Sequence, residues 1–146
     1  LDTGCNRAFN NNFNWLNLKQ LKKVDASSSA LNDEGMHKLS RIFSLESIYV
    51  YFCTGLTSDA FSCLHKLPKL LHLDVSMVES VDDNTIADIC KISSLVKLEL
   101  ESCKNITDEC LPHFTKLTNL RDLEISDCDL TYDKVEKLLP KVNIIY

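Results

Sequence analysis

The chain has 146 residues, 45% hydrophobic and 25% charged, with three glycines and three prolines. That composition describes one ordinary folded domain and excludes a flexible linker or a collagen-like repeat. A formal net charge of −5 opposes nucleic acid as a partner, because phosphate binding is driven by clustered Lys and Arg that release counterions.

No apolar run reaches the roughly 18 to 20 residues of a membrane helix, and no secretory signal opens the chain, so no membrane insertion is expected. Leu1 is not a methionine, and residues 1–20 read as the tail of a preceding repeat or an N-terminal cap. Within them Trp15 and Leu18 lead into Leu21 at intervals of three, and the asparagine-rich stretch from Asn10 to Asn14 reads as a loop.

From Leu21 onward one spacing dominates. Leu21, Leu45, Leu70, Leu95, Leu120 and Ile144 follow one another at steps of 24, 25, 25, 25 and 24 residues. A period of this length marks a solenoid, in which each unit buries its apolar face only against its neighbours. The repeats therefore start near 21, 45, 70, 95 and 120, with a partial one at 144, and span residues 21–146.

Each repeat opens with a strand pattern. Apolar residues alternate at its fourth and sixth positions, giving the inward pairs Val24/Ala26, Ile48/Val50, Leu73/Val75, Leu98/Leu100 and Leu123/Ile125. The ninth position carries Ser29, Cys53, Val78, Cys103 and Cys128, small side chains that fill the turn after the strand and satisfy its backbone. Cys5 lies 16 residues before Leu21, the gap that separates Cys128 from Ile144, and so falls in the same column.

A polar segment follows in every repeat: Asn32-Asp33, Thr57-Ser58-Asp59, Asp82-Asp83, Thr107-Asp108 and Thr131-Tyr132-Asp133. Oxygen acceptors and acidic groups suit the unsatisfied NH groups and positive dipole of a helix start. The residues beyond predict an apolar stripe on about three helical turns. It runs through Met36/Leu39/Ile42, Phe61/Leu64/Leu67, Ile86/Ile89/Ile92 and Leu111/Phe114/Leu117, and less cleanly through Val135/Leu138. Pro112 falls near a helix start, while Pro68 and Pro140 mark ends.

The sequence L-x-x-L-x-L-x-x-C followed by Ile/Leu-Thr-Asp, clearest from Leu95 to Leu117, resembles the cysteine-containing subfamily of leucine-rich repeats over residues 18–146. Ser29 and Val78 depart from its cysteine position, and Ala26 from its strand. The resemblance implies an α/β horseshoe arc of about five full repeats, with a parallel sheet on the concave face and helices on the convex face. Proteins similar to this subfamily serve as the substrate-recognition arm of F-box ubiquitin ligases, and short arrays of similar repeats occur in mitochondrial assembly factors.

Residues between the buried strand positions face the concave side. The third column reads Lys23, Ser47, His72, Lys97 and Asp122; the fifth, Asp25, Tyr49, Asp74, Glu99 and Glu124; the seventh, Ser27, Tyr51, Ser76, Glu101 and Ser126. Stacked about 4.8 Å apart, Asp74, Glu99 and Glu124 repel one another unless a basic ligand or Lys23 and Lys97 neutralise them. Tyr49, Tyr51 and Phe52, with Leu71 and Met77, form a candidate apolar patch, since aromatic residues dominate interface energetics.

Those columns make the expected function noncatalytic recognition of another protein bearing a basic segment, with further contact through uncapped solenoid ends. The rival is a structural or assembly subunit of a larger complex. The columnar cysteines point into the core and His72 away from them, so no Cys/His nucleophilic pair forms. Cys63 and His65 diverge on their helix and no paired C-x-x-C occurs, so neither metal nor cofactor is expected. The seven cysteines are odd in number, and four of them sit at a repeat position rather than in local pairs. They point to reduced thiols and an intracellular site, cytoplasmic or mitochondrial, against which stands one sequon, Asn105-Ile106-Thr107.

Overall fold

The computed structural model describes residues 18–146; the expectations for Cys5, Trp15 and the asparagine-rich stretch lie outside them. Six short parallel strands form one sheet in sequence order: β1 (Lys23–Asp25), β2 (Ser47–Tyr49), β3 (His72–Asp74), β4 (Lys97–Glu99), β5 (Asp122–Glu124) and β6 (Asn143–Ile145). The register pairs like with like, so that Val24, Ile48, Leu73, Leu98, Leu123 and Ile144 form one continuous row. Every predicted inward pair is buried.

Backbone bonding continues past each strand, as in Val50 N to Asp74 O at 2.9 Å and Met77 N to Glu101 O at 2.8 Å. The eighth residue of every coil then turns the chain with a left-handed backbone: φ is 54° at Ser28, 52° at Phe52, 55° at Met77, 57° at Ser102 and 57° at Asp127. None of these is glycine. The cysteine column lies directly beyond, and its thiols reach back to the preceding coil. Cys53 Sγ donates to Ala26 O at 3.1 Å, Cys103 Sγ to Val75 O at 3.5 Å and Cys128 Sγ to Leu100 O at 3.0 Å. Ser29, the first departure from that column, instead accepts from Leu31 N through its hydroxyl at 3.2 Å.

The convex side departs from three full turns of helix per repeat. Helices α1 (Asp33–Leu39), α2 (Asp83–Ile89) and α4 (Tyr132–Leu138) have 7 residues each, and α3 (Leu111–Phe114) has 4. The second repeat has only 3₁₀ turns, at Ser58–Ala60 and Leu64–Lys66, and another 3₁₀ turn at Asp108–Cys110 precedes α3. A strict interval of three is the 3₁₀ period, and even Ile42 and Ile92 follow their helices through NH bonds to Leu39 and Ile89, three residues back.

In the first four repeats the caps differ with the form that follows. Asn32 and Asp82 accept from NH groups three residues on, at Gly35 and Thr85 (3.1 and 2.8 Å), as an α-helical N-cap does. Thr57 and Thr107 accept from residues two on, Asp59 and Glu109. In the last repeat Leu138 is 37% exposed and Leu139 takes the buried place.

Coils are also stapled to one another outside the sheet. Asp33 accepts from Thr57 N and Oγ1 at 2.8 and 2.6 Å, Asp83 from Thr107 at 2.7 and 2.7 Å, and Asp108 from Thr131 at 2.8 and 2.8 Å. Gly55 sits where a Cβ would come within 2.7 Å of Leu31 O, so this close passage of two coils admits no side chain.

Candidate functional site

The inner sheet face brings the third and fifth columns into lateral contact. His72 stands between Ser47 and Lys97, and Glu99 between Asp74 and Glu124. Strand spacing of about 4.8 Å lets long side chains cross from one coil to the next, and Lys23, Tyr49, His72 and Glu99 do so as a connected chain.

His72 Nε2 lies 2.5 Å from Glu99 Oε2. A carboxylate only accepts, so Nε2–H is the donor of this bond, while Nδ1 on the other side of the ring lies 2.8 Å from the Tyr49 hydroxyl. The Tyr49 and His72 rings meet edge to face, with centroids 4.8 Å apart. Lys97 Nζ donates to the other Glu99 oxygen at 2.7 Å, and Lys23 Nζ lies 4.4 Å from the Tyr49 ring centroid, a cation–π distance. The chain Lys23–Tyr49–His72–Glu99–Lys97 thus ties β1 to β4.

The acidic column is partnered by a repeated local device as well. Asp25 accepts from Ser27 N at 3.1 Å and Asp74 from Ser76 N at 2.9 Å, while Glu124 accepts from both the backbone NH and the hydroxyl of Ser126. This acid-x-Ser pattern at 25–27, 74–76 and 124–126 is legible in the sequence, where its spacing of two residues is the available signal. Asp122 accepts from Asn143 Nδ2 at 2.9 Å.

Two carboxylates respond in opposite directions. Burial raises the Asp74 carboxyl above its ordinary range despite the Ser76 donors, and neighbouring Glu99 pushes the same way. Burial also acts upward on Glu99, but hydrogen bonds and charge from Lys97 and His72 outweigh it and hold that carboxyl below its usual value. The same hydrogen bond raises Lys97.

The aromatic patch divides. Tyr51 and Phe52 lie side by side with centroids 6.3 Å apart, and the Tyr51 hydroxyl donates to Met77 Sδ at 3.0 Å, at the C-terminal rim of the strands. Leu71 precedes β3 and belongs to the opposite rim, where it lines a shallow groove with Val96 and Arg121. Ser76, expected on the concave face, is buried at 3% exposure beside the Tyr51–Met77 contact, whereas Glu101 is exposed. Among the described residues no group of three or more His, Cys, Asp or Glu side chains is placed to hold a metal ion, and no helix is long and apolar enough to cross a membrane.

The chain is similar to a chain in a crystal structure of a TLR13–ssRNA13 complex, at 20% identity and a TM-score of 0.69, covering 92% of this chain and 20% of that one. An internalin, InlF, of Listeria monocytogenes aligns at 19% identity and a TM-score of 0.48, covering 88% of this chain and 48% of that one. No family model and no curated protein matches the sequence. The present chain spans about a fifth of the first neighbour and about half of the second, and the first likeness agrees with the geometry above: this is a leucine-rich-repeat solenoid, with its parallel sheet on the concave face and its helices on the convex face.

Proposed function

We propose that this chain is a noncatalytic recognition module that binds another protein, through a basic segment of that partner, across the concave sheet face. The observation that carries the reading is the Lys23–Tyr49–His72–Glu99–Lys97 chain: five polar side chains held by one another before any ligand arrives. Such preorganisation lowers the ordering cost of association. Carboxylates at Asp74, Glu99, Glu101, Asp122 and Glu124 favour a cationic partner and oppose a phosphate backbone.

Within the repeat class, the thiol-to-carbonyl bonds of Cys53, Cys103 and Cys128 support assignment to the cysteine-containing subfamily, and with it a role as the substrate-recognition part of a ubiquitin-ligase adaptor. The same thiols, donating rather than paired in disulfides, favour a reducing, intracellular setting.

The test is quantitative affinity capture with the wild-type chain and a Tyr49→Ala/Tyr51→Ala/Glu99→Lys variant. A labelled single-stranded RNA is titrated in parallel, because the similar TLR13 structure is of an ssRNA complex. Partners recovered by the wild type and lost with the variant support the reading. Equal recovery by both transfers the role to assembly through other surfaces, and saturable RNA binding abolished by the variant replaces protein with nucleic acid.

A further inference from the structure

We propose that Tyr51, Phe52 and Met77 form an anchoring patch for a partner peptide segment that carries one large apolar residue flanked by arginine or lysine. This rests on the protein-recognition reading above and narrows it to one rim and one ligand chemistry.

The first argument is conformational. Every coil turns at its eighth residue through a left-handed backbone, and coils one, four and five place Ser28, Ser102 and Asp127 there. Small polar residues tolerate that region, whereas a bulky side chain in it is rare and costly. Coils two and three nevertheless carry Phe52 and Met77, at φ of 52° and 55°. Core packing does not account for them, because Phe52 is 52% exposed and Met77 38% exposed. Backbone strain held at an exposed apolar pair points to a use outside the fold.

The second argument is arrangement. Adjacent coils bring the two residues together across the ladder bond from Phe52 N to Ser76 O at 3.0 Å, and Tyr51 bridges them. An aromatic pair beside a thioether gives rigid contact area next to an adaptable one, the composition of interface hot spots.

Charge then selects the flank. Glu79 and Glu101 are exposed beside Met77, with Glu101 offering its carbonyl to Met77 N. Among the described residues no cation forms an ion pair with either. Lys104, on the same rim, is turned away to the Asp127 carbonyl at 2.5 Å. An apolar anchor seated on Phe52 and Met77 therefore meets uncompensated negative charge on its repeat-four side, which a basic neighbour neutralises.

The experiment is selection of a random phage-displayed peptide library on the wild-type chain, followed by titration of the enriched peptides against Phe52→Ser, Met77→Ser and Glu101→Gln. Serine is the residue that coils one and four already use at this turn, so the first two variants keep or raise the melting temperature. The expected consensus is one aromatic or large aliphatic residue next to Arg or Lys, with binding weakened about tenfold or more by Phe52→Ser and less by Glu101→Gln.

Basic peptides that lack an apolar anchor, and that lose binding with Glu99→Lys but not with Phe52→Ser, overturn the rim patch and leave concave recognition standing. An empty selection, an acidic consensus, or a fall in melting temperature with either serine variant overturns the proposal. So does wild-type self-association in sedimentation that Phe52→Ser abolishes, since the occupant is then a second copy of the chain.

Discussion

Replacing Leu98 by alanine is the sharpest check on the inward register. Leu98 is fully buried in β4, flanked in the same row by Leu73 and Leu123, which are also at 0% exposure. The substitution removes about three buried carbons at about 0.8 kcal/mol each, or about 2.4 kcal/mol of transfer free energy. Because the strands on both sides are hydrogen-bonded in place, the gap collapses little, and the cavity contribution brings the expected loss to about 2 to 5 kcal/mol.

Urea unfolding followed by far-ultraviolet circular dichroism measures this directly, and an unchanged slope with denaturant confirms that the comparison is between like transitions. Leu138→Ala is the matched control. Its side chain belonged to the predicted apolar stripe but is 37% exposed, so its loss is expected to stay under about 0.5 kcal/mol. A Leu98→Ala loss below about 1 kcal/mol, or one no larger than that of Leu138→Ala, would mean that the strand faces are assigned the wrong way round.

Three further outcomes follow from the same geometry. Asp82→Ala removes the acceptor for both Thr85 N and Thr85 Oγ1 and should cost about 1 kcal/mol in the same assay, whereas Asp82→Asn retains most of it; equal losses would rule out capping. Glu99 is held below the ordinary glutamate range in the folded chain, so its contribution is present above the unfolded value and lost as pH falls through the folded one. The stability advantage of wild type over Glu99→Gln should therefore shrink on acidification below the normal glutamate range, and an advantage that grows there contradicts the assignment. Burial pushes the Cys103 thiol up to about 12 and the Cys128 thiol up to about 11; both should resist thiol-directed reagents at neutral pH until the chain unfolds, and rapid labelling of the native protein would place them at the surface.

Local alternation made the buried face readable from the residues alone. A strand with one face covered must alternate, and a 25-residue coil repeats that alternation often enough to set the register, so the row from Val24 to Leu123 could be named without coordinates. Helix form was less legible because the caps differ in which NH group they reach, and α4 forms behind Thr131 with no side-chain cap bond. Asn32 and Asp82 reach three residues on, while Thr57 and Thr107 reach two, although all four look like competent capping residues in sequence. Leu138 and Leu139 show the same limit, since the buried residue after Val135 falls four positions on, at Leu139, rather than three.

The division of labour between sequence and tertiary structure is clearest on the concave face. Columns of side chains follow from the repeat length by itself, and with them the presence of Tyr49, His72, Lys97 and Glu99 on one surface. Their pairing does not, because it depends on contacts between residues that are far apart in the chain, such as Tyr49 with His72 and His72 with Glu99, and on which rotamers the strand spacing allows. The separation of Leu71 from Phe52 and Met77 is likewise tertiary. A strand lies between the two ends of each coil, and the left-handed turn at the eighth residue sends Phe52 and Met77 outward along one rim, while Leu71 remains on the other.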